Sequence, residues 1–274
     1  MTECKRVLRE NGPPISFTIG GKVAVGGEKP VVIAGPCAVE SREAILEVAE
    51  AIKSVLVDEL GFNNVVLRGG VWKPRTSPYS FQGHGEKALV WLREAGDAVG
   101  LPVATEVMDP RDVKVASEYA DLLWVGARNM QNTPLLRELA KIENPVLLKR
   151  HFGATITEWL CAAEYLLAEG KENVGLVERG TRGINEYARF TLDITVVPIV
   201  KELSRLPIIV DVSHPAGKRN LVPPLAKAAL AAGAHGIMVE VHPNPRQALS
   251  DKDQQLDPQS FRSLVRELRR MNLL

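Results

Sequence analysis

Long apolar runs are missing from this sequence. Its apolar runs, such as Val31–Ala34 and Leu206–Val210, fall far short of a membrane span. The N-terminus, MTECKRVLRENGPP, contains acids and lacks the apolar core of a signal peptide. Net charge is also missing: 34 Lys and Arg against 33 Asp and Glu leave a formal +1. No whole-protein field draws nucleic acid or anionic membrane, so any anion must be bound by locally placed Arg and Lys. Cysteine is scarce, with Cys4, Cys37 and Cys161 widely spaced and odd in number. This pattern fits neither a disulfide framework nor a Cys-x-x-Cys zinc site, and it predicts a reducing, cytoplasmic setting. No G-x-G-x-x-G follows the first strand and no G-x-S-x-G occurs. Their absence excludes hydride transfer on a dinucleotide fold and gives no support to a Ser-His-Asp hydrolase. The expected partners are small molecules.

What the chain does have is a rhythm. Short β-branched runs alternate with helical patterns: VVIAG (31–35), NVVLRG (64–69), PVATEV (102–107), LLWVGA (122–127), PVLLKR (145–150), VGLVERG (174–180), PIIVDVSH (207–214) and GIMVEVH (236–242). Helices are predicted between them at roughly 41–60, 85–99, 110–119, 132–142, 155–169, 187–204, 218–232 and 258–272. Near-continuous apolar strands alternating with amphipathic helices imply a parallel sheet buried on both faces. Eight such units close a (β/α)₈ barrel; a doubly wound sheet is the competing α/β architecture. Ahead of them, ISFTIGGKVAVGG (15–27) reads as a β-hairpin with a Gly-Gly turn, covering the N-terminal end of the barrel. No linker, repeat or low-complexity segment interrupts the pattern. The expected organisation is an N-terminal extension over residues 1–30 and one barrel domain over 31–274.

Barrel enzymes assemble their sites from the C-terminal ends of the strands, and here almost every end carries a charged or metal-competent group. Arg68, Lys73, Arg75, Arg128, Lys149 and Arg179 form a cation set brought from four strands. Any one of them could be an ordinary salt-bridge partner of a neighbouring acid. Six together are costly unless anions neutralise them, and Arg forks suit phosphate and carboxylate oxygens. Arg150, Glu178 and Asp211 also fall at strand ends, and Glu106 closes the third strand. A second set, Cys37, His214, Glu240 and Asp251, offers one thiolate, one imidazole and two carboxylates, a mixture suited to a divalent first-row ion. Taken singly, Cys37 reads as a small buried hydrophobe, His214 as a helix-cap partner and Glu240 as a salt-bridge acid. His84, His151 and His235 read as loop or surface histidines, and His242 as a neighbour of the site that does not ligate. The residues thus describe a barrel enzyme in which a metal polarises an oxygen on an anionic substrate.

The segments AGPCAVES (34–41), RGGVWKPRTSPYSFQGHGEKAL (68–89), ATEVMDP (104–110), GARNMQN (126–132), LLKRHFGAT (147–155), ERGTRG (178–183), DVSHPAGKR (211–219), EVHPNP (240–245) and SDKDQQL (250–256) resemble the short type I β group of 3-deoxy-D-arabino-heptulosonate-7-phosphate (DAHP) synthases. The resemblance runs from about residue 12 to 262, in long segments at consistent order and spacing. The related 3-deoxy-D-manno-octulosonate-8-phosphate (KDO8P) synthases differ in carrying a Lys-Ala-Asn-Arg type sequence where this chain has Lys73, Pro74, Arg75 and Thr76.

The resemblance implies condensation of phosphoenolpyruvate with erythrose 4-phosphate and water, the first step toward aromatic amino acids. It implies metal ligation by Cys37, His214, Glu240 and Asp251, with Mn²⁺ first in order and Co²⁺, Zn²⁺, Fe²⁺ or Cd²⁺ as other ions. Arg128, Lys149 and Arg179 match the residues that hold the phosphate of phosphoenolpyruvate, with Arg68 and Lys73 near its carboxylate. Lys73, Pro74, Arg75 and Thr76 match the erythrose 4-phosphate segment, with Ser77 beside it. Glu106 matches an acid near the reacting water, and Lys73, Glu106, Cys37 and His214 are the expected catalytic set. A homodimer or homotetramer is implied as well. The chain is expected to lack both a ferredoxin-like regulatory domain and a fused chorismate mutase, and hence feedback inhibition. Two other readings stand beside this one: a KDO8P synthase using arabinose 5-phosphate, and a non-catalytic barrel that binds a sugar phosphate.

Overall fold

The structure, a computed structural model, describes residues 4–274. It opens with an antiparallel hairpin, β1 (Phe17–Ile19) and β2 (Val23–Val25), turned by Gly20 and Gly21 at φ 55° and 67°. Positive φ at both turn positions matches the twist of a two-stranded ribbon, which is why glycine occupies them. Eight parallel strands follow: β3 (Val31–Gly35), β4 (Val65–Arg68), β5 (Val103–Val107), β6 (Leu122–Val125), β7 (Val146–Lys149), β8 (Val174–Glu178), β9 (Ile208–Asp211) and β10 (Gly236–Glu240). They pair in sequence order and close through β10 against β3, giving the expected (β/α)₈ barrel.

The outer layer comprises α1 (Arg42–Lys53), α2 (Glu86–Val99), α3 (Val113–Tyr119), α4 (Thr133–Ala140), α5 (Ile156–Ala168), α6 (Val196–Leu203), the short α7 (Ser213–Ala216), α8 (Val222–Ala231) and α9 (Pro258–Arg270). Local sequence sets their starts. Ser41 caps α1 by accepting from the Ala44 amide, and Thr155 with Glu158 makes a reciprocal capping box on α5. Asp257 caps α9 ahead of Pro258, whose fixed φ suits the first helical position. No helix among the described residues is long and apolar enough to cross a membrane.

The strands bury both faces, and their two stripes serve different cores. One stripe, including Ile33, Val66, Ala104, Trp124, Leu147, Val177, Ile209 and Met238, fills the barrel interior. Ile19, Val23 and Val25 of the hairpin join that cluster, so the hairpin plugs the N-terminal mouth as predicted. The alternate residues pack outward against the helices.

Two expectations are corrected. The helix predicted over 187–204 is only α6, because residues 181 and 191 pair as an isolated bridge and the Phe190 amide donates to the Pro215 carbonyl. Pro198, which has no amide to donate, is accommodated in the first turn of α6. Residues 179–195 are therefore a long loop over the C-terminal face. Second, Cys4 and Cys161 form a disulfide, where the cysteine spacing predicted none. The N-terminal segment is laid along α5 by Glu164, whose carboxylate accepts from the amides of Arg6 and Val7. This brings Cys4, itself buried, to Cys161 on that helix across a separation of 157 residues, a contact no local spacing rule can register.

Candidate functional site

Period-two alternation decides which strand-end charges face the barrel axis. Arg68, Glu106, Lys149, Arg179, Asp211 and Glu240 each lie two residues beyond an interior apolar side chain, namely Val66, Ala104, Leu147, Val177, Ile209 and Met238. All six are buried and converge at the C-terminal mouth. Arg150 and Glu178 have the opposite parity. They pair with each other at 3.1 Å on the outside of the strands, with Asp193 at 3.2 Å from the same guanidinium nitrogen.

The mouth holds a cavity of about 250 Å³ lined by Arg68, Lys73, Arg75, Arg128, Lys149 and Arg179, so the six predicted cations share one space. Pro74, Thr76, Ser77, Glu106, His214 and Asp251 line it as well. Arg68 is nearly inaccessible and lies 4.9 Å from the centre of the Trp124 ring. One guanidinium nitrogen reaches Glu240 Oε1 at 3.3 Å, while its Nε and Nη1 are buried with no hydrogen-bond partner. A buried donor without an acceptor is costly, and an anionic ligand would supply one. Lys149 pairs with Asp211 at 2.6 Å and also lies near Trp124. Burial lowers its pKa, with Asp211 opposing the shift, and burial lowers Arg179 to about 10. Both cations are thus held short of full solvation, as an anion site requires. Arg128 is more exposed and donates to the Pro74 carbonyl at 3.0 Å, joining the phosphate-type cations to the 73–76 loop.

Glu106 approaches from β5, and Gly126 opposite it is constrained by that approach. A Cβ on Gly126 would overlap Glu106 Oε1, so only glycine admits the carboxylate here.

Beside the cations, Cys37, His214, Glu240 and Asp251 bring one ligand atom each within 4.8 Å of one another, a group able to hold a metal ion. His214 Nδ1 faces Asp211 Oδ2 at 2.7 Å, which fixes the ring and leaves Nε2 at 3.5 Å from Glu240 and 3.6 Å from Asp251. A carboxylate behind a ligating imidazole is the usual way its tautomer and orientation are set. Burial raises the Asp211 pKa, but His214 and Lys149 outweigh it and hold the carboxyl well below the usual range. Asp251 is likewise held low by His214 and Arg189 against its burial. Burial, reinforced by Glu240, pushes the Cys37 thiol up to about 12. Lys73 Nζ lies 3.1 Å from that sulfur and 2.8 Å from the Cys37 carbonyl; burial lowers its pKa, yet Cys37, Glu106 and Glu240 raise it overall. Mixed N, O and S donors crowded this closely in a buried pocket fit a divalent cation, whose charge would relieve the repulsion among the acids.

The remaining histidines stand apart from this group. His84 is exposed and faces the Glu40 carbonyl, while His151 and His235 are half-buried away from the ligand cluster. His242 is buried near Glu40 at 3.4 Å and is not among the converging ligands.

Several site residues were not assigned from the sequence. Asp211 was visible only as a strand-end acid, although its parity with Glu240 was a usable signal. Trp124 reads as ordinary core until its ring is seen beneath Arg68 and Lys149. Phe152, Arg189 and Phe190 line the cavity from loops; Phe152 lay unassigned within the segment 147–155, and no motif marked Arg189 or Phe190. Gln254 and Gln255 brace the ligands: Gln254 donates to Glu240 at 2.7 Å, and Gln255 accepts from the Cys37 amide at 2.9 Å.

Comparison with known proteins agrees with this geometry. The profile of the DAHP synthetase I family matches residues 9–273. The chain is 49% identical to the phospho-2-dehydro-3-deoxyheptonate aldolase of Thermotoga maritima over 267 residues, 97% of this chain and 77% of the relative. A crystal structure of the Thermotoga maritima DAHP synthase superposes with a TM-score of 0.90 at 47% identity, covering 97% of this chain and 76% of that one. A truncated form of 3-deoxy-D-arabino-heptulosonate 7-phosphate synthase from the same organism gives 0.87 at 45% identity, covering 97% and 95%. A 2-dehydro-3-deoxyphosphooctonate aldolase from Desulfatibacillum aliphaticivorans is more distant, at 33% identity over 92% of this chain and 96% of the relative. The chain belongs to the DAHP synthetase I family.

Proposed function

We propose that the chain condenses phosphoenolpyruvate with D-erythrose 4-phosphate and water, releasing DAHP and inorganic phosphate. The observation that carries this reading is Arg68, a buried cation with two unpaired nitrogens, set between the ligand cluster and the other cations of one cavity. A carboxylate at Arg68 and Lys73 and a phosphate at Arg128, Lys149 and Arg179 would satisfy both groups with charge-assisted hydrogen bonds. Pro74, Arg75 and Thr76 would receive the sugar phosphate at the outer end of the cavity.

In the reaction, C3 of phosphoenolpyruvate forms a bond to the aldehyde carbon, whose π electrons move to its oxygen. Lys73 would donate a hydrogen bond to that oxygen, and Glu106 would orient the water that adds to C2, both lining the same cavity. The resulting phosphohemiketal then breaks its C–O bond and inorganic phosphate leaves. Cys37, His214, Glu240 and Asp251 would hold a divalent ion, Mn²⁺ by preference, which supplies Lewis acidity at the aldehyde. Closely placed cations and donors stabilise the charge that develops as the bond forms. A cytoplasmic location and a homodimeric or homotetrameric state complete the proposal. The location now rests on phosphorylated substrates that cross no bilayer unaided, since the pairing of two cysteines removes the argument from cysteine count.

The deciding measurement is phosphate release from phosphoenolpyruvate with either aldehyde. Erythrose 4-phosphate should exceed arabinose 5-phosphate in kcat/KM by roughly 100-fold or more, because polar groups built for one substrate are left unpaired by another. The reverse preference would move the chain to KDO8P synthesis, and no release with either aldehyde would leave a non-catalytic binder. Excess EDTA should abolish turnover and Mn²⁺ restore it; full activity in chelator would remove the metal from the mechanism.

A further inference from the structure

The proposed reaction leaves two side chains at the site without a role. Arg189 and Phe190 are adjacent in the 179–195 loop, and their backbone lies along the segment just after His214. The Arg189 amide donates to the Ala216 carbonyl at 3.4 Å and the Phe190 amide to Pro215 at 3.0 Å. Paired bonds between Thr181 and Thr191, at 2.9 and 3.0 Å, close the base of the loop.

From this anchored dipeptide the side chains reach different partners, with the Arg189 guanidinium carbon 5.9 Å from the Phe190 ring. Arg189 Nη1 reaches Asp251 Oδ1 at 3.2 Å and Gln254 Oε1 at 3.1 Å, and Gln254 in turn donates to Glu240 Oε2 at 2.7 Å. The Phe190 ring lies 4.0 Å from the Arg179 guanidinium carbon. Asp251 needs such a brace: it sits at φ 46°, a left-handed conformation uncommon outside glycine. With Oδ1 taken by Arg189, Oδ2 is the oxygen turned toward Cys37 Sγ, 3.3 Å away.

We propose that Arg189 is a positioning residue for Asp251, and that the Arg189–Phe190 pair couples the ligand cluster to the Arg179 anion subsite, so that metal and phosphate each tighten the other. This rests on the metal reading above. An anion on Arg179 fixes its guanidinium against Phe190 and orders the segment that also carries Arg189. The ordering needed for the second ligand is then already in place, and coupling of this kind acts equally in both directions.

The test is Mn²⁺ binding to chelator-stripped full-length protein, read by the electron paramagnetic resonance of the free ion, with and without inorganic phosphate as the probe. In the wild type, phosphate should tighten Mn²⁺ binding by about fivefold or more, within the usual range of allosteric coupling. Arg189→Met should weaken Mn²⁺ binding alone about tenfold and reduce the phosphate effect below about twofold, a range set by loss of one orienting partner of a metal ligand. Arg189→Lys should recover part of the affinity, and Phe190→Leu should keep the affinity for Mn²⁺ alone while losing the phosphate effect. If Arg189→Met does not fold, those two variants decide. Mn²⁺ binding within about twofold of wild type in the Arg189 variants, or a phosphate effect that survives in Phe190→Leu, would overturn the proposal. A wild type that binds no Mn²⁺ would instead overturn the metal reading, and this proposal with it.

Discussion

Arg150 and Lys149 are neighbours in sequence with equal charge, yet only Lys149 lines the cavity. Lys149 follows Leu147 on the interior stripe, whereas Arg150 turns outward to Glu178. The same parity selects Arg68, Glu106, Arg179, Asp211 and Glu240, so this part of the candidate site was legible once the strands were located. Residues on the loops beyond the strands were legible as candidates by residue type, but only the family resemblance gave each a role, because a loop has no period that fixes where a side chain points. Arg75 illustrates the difference. It is half-buried on the cavity wall beside Thr76, Ser77 and Ser80. We expect Arg75→Ala to raise KM for erythrose 4-phosphate by roughly 30- to 100-fold while changing KM for phosphoenolpyruvate less than about threefold, since a charge-assisted pair to phosphate contributes about 2–3 kcal/mol. Steady-state kinetics with each substrate varied would check it, and equal losses for both would detach Arg75 from the sugar phosphate.

Among the elements, the strands and most helices followed from apolar periodicity with small shifts at their ends. The exception, 187–204, shows the limit of that signal. Tyr187 through Arg189 contain nothing that forbids a helix, but Asn185 Oδ1 takes the amides of Tyr187 and Ala188, and the Ala216 carbonyl, distant in sequence, takes that of Arg189. The hairpin behaves in the opposite way: its two strands have only three residues each, yet Gly-Gly punctuation between alternating apolar residues marked it. Its value lies in what it covers. Ile19, fully buried, closes the interior stack of the barrel from the N-terminal side. Ile19→Ala should destabilise the protein by about 2–4 kcal/mol, the usual cost of a large-to-small core substitution. Both KM values should stay within about twofold, because the deletion lies at the opposite mouth from the site. Denaturant unfolding with parallel kinetics would measure both effects, and an unchanged midpoint would show that the hairpin does not seal the core.

At the scale of the whole molecule, the Cys4–Cys161 bond ties the N-terminal segment to α5, while Ser204 donates to the Val7 carbonyl at 2.9 Å and extends the same strap toward β9. The closed covalent loop contains five of the eight barrel strands. Such a cross-link restricts the unfolded chain more than the folded one and contributes on the order of 2–4 kcal/mol. Reduction by dithiothreitol should therefore lower Tm by roughly 5–10 °C, and Cys161→Ser should melt at the reduced value whether or not reductant is present. Thiol titration of the unfolded, unreduced protein should find only Cys37 free; three reactive thiols would show that the bond does not form.

The sequence by itself determined the barrel, because eight apolar strands separated by amphipathic helices can bury both faces of a parallel sheet in few other ways. It determined too which chemistry was on offer, through the cations and the thiol, imidazole and carboxylates at the strand ends. Only the tertiary structure decided that Asp211 backs His214, that Arg189 reaches Asp251, and that Cys4 meets Cys161. Each joins residues brought together by closure of the barrel or by loops laid across it, and proximity of that kind leaves no period in the chain.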